Sequence, residues 1–147
     1  MKISNMMNKD CVFVDLKADN KRQLLQEIAA KATKTAKIDE RIIFETLLER
    51  ENLGSTGFGN GTALPHARLA DIKQVLAFFV KLKSKIDFES VDSQPVDLLF
   101  MLLSPEDSGA DHLTALALTS RLLKDEDTCK KLRAAKTPDE IYTLLNQ

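Results

Sequence analysis

Residues 54–66 read GSTGFGNGTALPH and hold four of the chain's five glycines together with one of its two histidines. Imidazole is the side chain whose proton equilibrium lies nearest neutral pH, so His66 is the first candidate for chemistry. Glycine widens the accessible φ range and lets another group come close to the backbone. Gly54, Gly57, Gly59 and Gly61 therefore point to backbone shaped around something specific, with N–H groups that could surround a small anion. Pro65 has no N–H to donate, which places His66 at or just beyond the end of a short strand. His112 falls just inside the start of a helical stretch, where free N–H groups and the helix dipole favour anions. Two imidazoles and a ring of N–H donors suit a phosphoryl group. They suit zinc poorly, because a catalytic zinc takes three protein ligands and no third histidine exists, although carboxylates could substitute. No metal and no cofactor are expected.

Two familiar phosphate-binding patterns fail on this segment. Gly54 and Gly59 have the first spacing of a nucleotide P-loop, but Asn60 stands where its lysine belongs and a helix, not a strand, precedes the run. The dinucleotide fingerprint fails as well, since Gly57, Gly59 and Gly61 lead into TALP and not into a helix.

The elements that must position these residues follow from periodicity. CVFV (11–14) reads as a strand, and residues 19–36 as a helix with Leu24, Leu25, Ile28, Ala29 and Ala32 on one face and Asp19 or Asn20 as its cap. Asp39 opens a second helix, ERIIFETLLEREN, which Gly54 would release. TALP (62–65) allows only a brief strand. VLAFFVKL (75–82) and VDLLFMLL (96–103) are apolar along their length, as strands covered on both faces are. ADHLTALALTSRLLKD reads as a long amphipathic helix after the loop SPEDSG, and Thr137, Pro138 and Glu140 form a helix-start signature. The pattern predicts an α/β fold: a three-layer α/β/α sandwich with a mixed central sheet of about five strands.

The totals bound the rest. A chain of 147 residues with 44% hydrophobic and 29% charged residues reads as one domain over 1–147. A net charge of −1 argues against nucleic acid as a partner. No apolar run reaches the ~20 residues of a membrane span, and the N-terminus does not read as a secretion signal. Cys11 and Cys129 read as small buried apolar residues in a reducing, cytoplasmic setting.

RENLGSTGFGNGTALPHARL resembles the phosphorylation-site segment of enzyme IIA proteins of the bacterial phosphotransferase system, in the fructose–mannitol superfamily. SQPVDLLFMLLSP, HLTALALTSRLL and KKLRAAKTPDEIYTLL resemble its nitrogen-regulatory branch, so the likeness runs from about Val12 to the C-terminus. Ala67-Arg68 stands where Gly-Lys is common, and Met101 where a smaller residue is. The resemblance implies that His66 accepts a phosphoryl group, at Nε2, from a histidine-containing phosphocarrier protein. It further implies that His112 and Arg50 stabilise that group, and that the phosphorylation state regulates target proteins, transporter or sensor-kinase components among them. From its sequence neighbours alone, Arg50 would read as part of a solvated helix face beside Glu49 and Glu51. Arg forks onto phosphate oxygens, which suits the implied role. Two other readings stay open: a sugar-specific enzyme IIA that passes the group to a IIB domain, and a regulatory binding module that is never phosphorylated.

Overall fold

A computed structural model describes residues 1–147. The chain opens with a short helix α1 (Ile3–Met6) and a single 3-10 turn before strand β1 (Val12–Leu16). Helices α2 (Lys21–Ala36) and α3 (Glu40–Asn52) pack on each other and lead to three short strands, β2 (Gly57–Gly59), β3 (Thr62–Ala63) and β4 (His66–Leu69). The long strands β5 (Leu76–Ile86) and β6 (Val96–Pro105) follow, and α4 (Ala110–Lys124), α5 (Glu126–Ala134) and α6 (Pro138–Leu145) close the chain.

The six strands form one mixed sheet in the order β1-β5-β6-β3-β2, with β4 also paired to β6. β6 is its centre. It runs antiparallel to β5 and parallel to both β3 and β4. Its residues are buried from end to end except for Asp97, as its continuous apolar run predicts for a strand covered on both faces. Phe78, Phe79 and Phe100 are fully buried, and Phe79 meets Phe100 edge to face at 5.1 Å. The arrangement is an open α/β/α sandwich, with one strand more than the sequence pattern foretells.

The predicted caps are present. Asn20 accepts from the Gln23 N–H and Asp39 from the Arg41 N–H, while Thr137 accepts from the Glu140 N–H. The Glu140 carboxylate bonds the Thr137 hydroxyl instead of reaching back to its N–H, so only half of the capping box forms. α3 ends at Asn52 with Leu53 as its C-cap, and the expected Gly54 follows at a φ of 153°. Cys11 and Cys129 are free and buried. No helix is long and apolar enough to cross a membrane.

Gly57, Gly59 and Gly61 serve a hairpin. β2 pairs antiparallel with β3, and Gly57 lies against Ser90, Gly59 against Asp92 and Gly61 against Arg133 and Asp97. Asn60 and Gly61 both have positive φ, at 56° and 76°. Over this turn the Arg133 guanidinium grips both oxygens of Asp97 at 2.9–3.1 Å and donates to the Asn60 carbonyl at 2.8 Å. A Cβ on Gly61 would stand 2.7 Å from Arg133 Nη2. Gly61→Ala should therefore lower unfolding free energy by about 1–3 kcal/mol, from left-handed backbone and displacement of the arginine. Urea denaturation of the variant against wild type measures this.

Candidate phosphoryl-transfer site

Leu64 and Pro65 interrupt the run between β3 and β4, and His66 is the first residue of β4. Pro65 cannot donate to the sheet, but its carbonyl accepts from the Leu102 N–H at 3.0 Å, which pins the chain beside β6. In the parallel register His66 stands opposite Leu102 and Arg68 opposite Ser104. His66, Arg68 and Ser104 thus share one face of the sheet, because alternate residues of a strand face the same way. α4 lies over β6 and delivers His112 to that face. The two imidazole centroids are 5.7 Å apart with planes inclined at 54°.

His66, His112 and Arg50 line a single open cleft of about 580 Å³, together with Thr46, Glu49, Leu53, Ala67, Arg68 and Glu106. All three residues singled out in the sequence are therefore brought together. Arg50, in the last turn of α3, donates through Nη1 to the Gly54 carbonyl at 2.9 Å, which leaves its other N–H groups for the cleft. Arg68 is a second cation that sequence reasoning passed over; its place two residues after His66 on a strand was the available signal. Ser104, which bonds Nδ1 of His112 at 2.6 Å, had no signal at all, since it is eight positions away on another element.

The surroundings of each ring fix its proton. Nδ1 of His66 lies 2.9 Å from the Leu64 carbonyl. A carbonyl can only accept, so Nδ1 carries the hydrogen and Nε2 of the neutral ring holds the lone pair. Burial lowers the His66 pKa, and the positive charges of Arg50 and Arg68 add to this, against the Leu64 hydrogen bond and Glu51, which raise it. His112 is 4% exposed, and burial, then Arg68, then His66, push its pKa down to about 4. Both rings are neutral near pH 7. One can act as a nucleophile toward an electrophilic phosphorus while two guanidinium groups receive the charged oxygens.

Two expectations need correction. None of the glycines 54, 57, 59 and 61 lines the cleft, and four N–H groups of their loop are committed within the protein. Gly54 donates to the Glu51 carbonyl, Thr56 to the Glu51 carboxylate, Gly57 to Ser55 Oγ and Asn60 to Asp92. No ring of N–H donors awaits an anion there. Glu51 is also no solvated neighbour of Arg50. It is 5% exposed, paired with Lys21 Nζ at 2.8 Å, and accepts from both the hydroxyl and the N–H of Thr56. A buried carboxylate of this kind is tolerated because it is paired and fully hydrogen-bonded.

The pKa of His112 carries a stability consequence. The unfolded ring takes up its proton near pH 6.5 and the folded one near 4, so folding stability is complete above about 6.5. It is lost as the pH falls toward 4, by at most about 3 kcal/mol. Denaturant midpoints of wild type and His112→Gln between pH 4 and 7 should converge on acidification by an amount of this order.

Comparison with known proteins places this geometry. Residues 5–147 match the family model for the phosphoenolpyruvate-dependent sugar phosphotransferase system, EIIA 2. The chain is 48% identical over 145 residues to a nitrogen regulatory protein of Bradyrhizobium diazoefficiens, covering 99% of this chain and 95% of that one. It is 38% identical over 146 residues to a nitrogen regulatory protein of Escherichia coli, covering 99% and 90%. Among solved structures, nitrogen regulatory protein IIA-Ntr of Neisseria meningitidis superposes with a TM-score of 0.92 at 29% identity, over 97% of this chain and 98% of that one.

Proposed function

This chain belongs to the EIIA 2 family of the phosphoenolpyruvate-dependent sugar phosphotransferase system, and from that premise we propose that it is a nitrogen-regulatory enzyme IIA phosphorylated on His66. The observation that carries the reading is the hydrogen bond from His66 Nδ1 to the Leu64 carbonyl, which leaves the lone pair on Nε2 in a cleft with Arg50, Arg68 and His112. The family supplies the chemistry, phosphoryl transfer between protein histidines; the cleft supplies a nucleophile of matching form.

In the proposed step, Nε2 of His66 attacks the phosphorus of a phosphohistidine on a phosphocarrier protein. The new bond is P–Nε2; the donor's P–N bond breaks and its imidazole leaves with the electron pair. Positive charge grows on the His66 ring as the bond forms, and the Leu64 carbonyl, already accepting from Nδ1–H, stabilises it. Arg50 and Arg68 are placed to take the equatorial oxygens, where charge concentrates in phosphoryl transfer. His112, neutral and buried, contributes an N–H without competing as a base. The whole chain, 1–147, acts as one phosphocarrier domain in the cytoplasm. It needs no metal or cofactor, and its phosphorylation state controls regulated target proteins.

The names of the relatives, matched over nearly their full lengths, favour regulation over sugar uptake. Incubation with phosphoenolpyruvate, enzyme I and a histidine-containing phosphocarrier protein, read by intact mass, tests the reading. Wild type should gain one phosphoryl group that is lost in acid and survives base, as a phosphoramidate does. His66→Ala should gain none while keeping its circular dichroism. Modification on Ser55 or Thr56 would overturn the assignment, and rapid sugar-dependent loss of the group through a IIB domain would make the chain a sugar-specific enzyme IIA instead.

A further inference from the structure

We propose that Ser104 is a positioning residue that fixes the tautomer of His112, donating its hydroxyl hydrogen to Nδ1 so that Nε2 carries the N–H offered to a phosphoryl oxygen. Ser104 stands near the end of β6 and is fully buried. Its Oγ makes one hydrogen bond, to Nδ1 of His112 at 2.6 Å, a short contact between two buried groups.

Only one direction of that bond satisfies both partners. A serine hydroxyl has a single hydrogen and can also accept. If Nδ1 carried the ring's hydrogen, Oγ would accept it and its own hydrogen would be buried with no acceptor, an arrangement folded proteins avoid. If Nδ1 is bare, the hydroxyl donates to it and nothing is left unpaired. The hydrogen of the neutral ring then resides on Nε2, which makes no hydrogen bond within the protein. His112 lines the cleft that holds His66, so this N–H is the ring's remaining polar group for a ligand there. The ring stays neutral because burial and the Arg68 charge oppose its protonation.

The two histidines are thereby set to opposite tautomers by their neighbours. A carbonyl, which can only accept, puts the His66 hydrogen on Nδ1 and makes Nε2 a nucleophile. A hydroxyl free to donate removes the His112 hydrogen from Nδ1 and makes Nε2 a donor. With the tautomers exchanged, His112 would present a lone pair to an oxyanion, and repulsion would replace a hydrogen bond.

The role of this N–H in transfer rests on His66 being the acceptor, but the tautomer can be read without any phosphate. A long-range ¹H–¹⁵N correlation spectrum of uniformly ¹⁵N-labelled wild type near pH 7 should assign His112 as Nε2–H with a bare, hydrogen-bonded Nδ1. An Nδ1–H tautomer would overturn the proposal, whether or not His66 is phosphorylated. In Ser104→Ala the two ring ¹⁵N shifts should move toward each other, and phosphorylation of His66 should slow about tenfold yet reach completion, the size of effect seen when an outer partner of a functional imidazole is lost. Ser104→Thr, which keeps the hydroxyl, should restore both. Unchanged ring shifts and an unchanged rate in the alanine variant would also overturn it. Should that variant fail to fold, the wild-type spectrum decides alone. A wild type with the expected tautomer that accepts no phosphoryl group would leave Ser104's effect on the ring standing and remove the acceptor reading instead.

Discussion

A backbone carbonyl can accept a hydrogen bond but never donate one, and the site depends on this limit at Leu64. The carbonyl is available to the His66 ring because the chain leaves β3 at Ala63 and re-enters the sheet as β4 at His66. Pro65 between them gives no N–H, while its own carbonyl holds the chain to Leu102. The Leu64 carbonyl is therefore free of the ladder and turns to the ring two residues on. A proline before a histidine is often read as a brake on local flexibility. Here the residue before that proline supplies the carbonyl that selects the tautomer.

The central strand β6 extends that control to the second ring. It pairs with β3 and β4 along one edge and β5 along the other, so it is hydrogen-bonded on both sides. Ser104 belongs to this strand, and α4 returns over it to bring His112 onto Ser104. Two imidazoles 5.7 Å apart are held by one strand and its neighbour. Electrostatics work alongside. Burial first, and then Arg50 and Arg68, lower the His66 pKa, and burial followed by Arg68 lowers that of His112, so both rings stay neutral. Behind Arg50, the buried Glu51 ties α3 to Lys21 of α2 and to Thr56 of the following loop, which fixes where the arginine's helix ends.

The glycine-rich run supports the site from a distance. Its hairpin sits against the segment 87–97, where Glu89 and Ser93 also take positive φ, and is clamped by Arg133 from α5. The glycines permit close backbone packing of two irregular segments. Within the run, the N–H groups of Gly54, Thr56, Gly57 and Asn60 bond to Glu51, Ser55 and Asp92, and none of its glycines lines the cleft.

Much of this was determined by the sequence alone. Period and capping residues set α2, α3 and α6, period alone set α4, and unbroken apolar runs set β5 and β6, because these signals act between residues close in the chain. The same locality explains the misses: α1 is only four residues long, α5 has no side-chain cap, and β4 is too short and mixed to show a period of two. The Pro-His pair and its family resemblance marked His66, His112 and Arg50 before any coordinates. Only the tertiary structure decided how they work. Which nitrogen of each ring holds the hydrogen depends on a carbonyl two residues away and on a hydroxyl from another element. That Glu51 is buried and paired, that Arg68 joins the cleft, and that the glycines face away from it all follow from contacts across the sheet. A sequence records which donors and acceptors exist. Hydrogen bonds and desolvation are decided by the distances between them, and those are set by the fold.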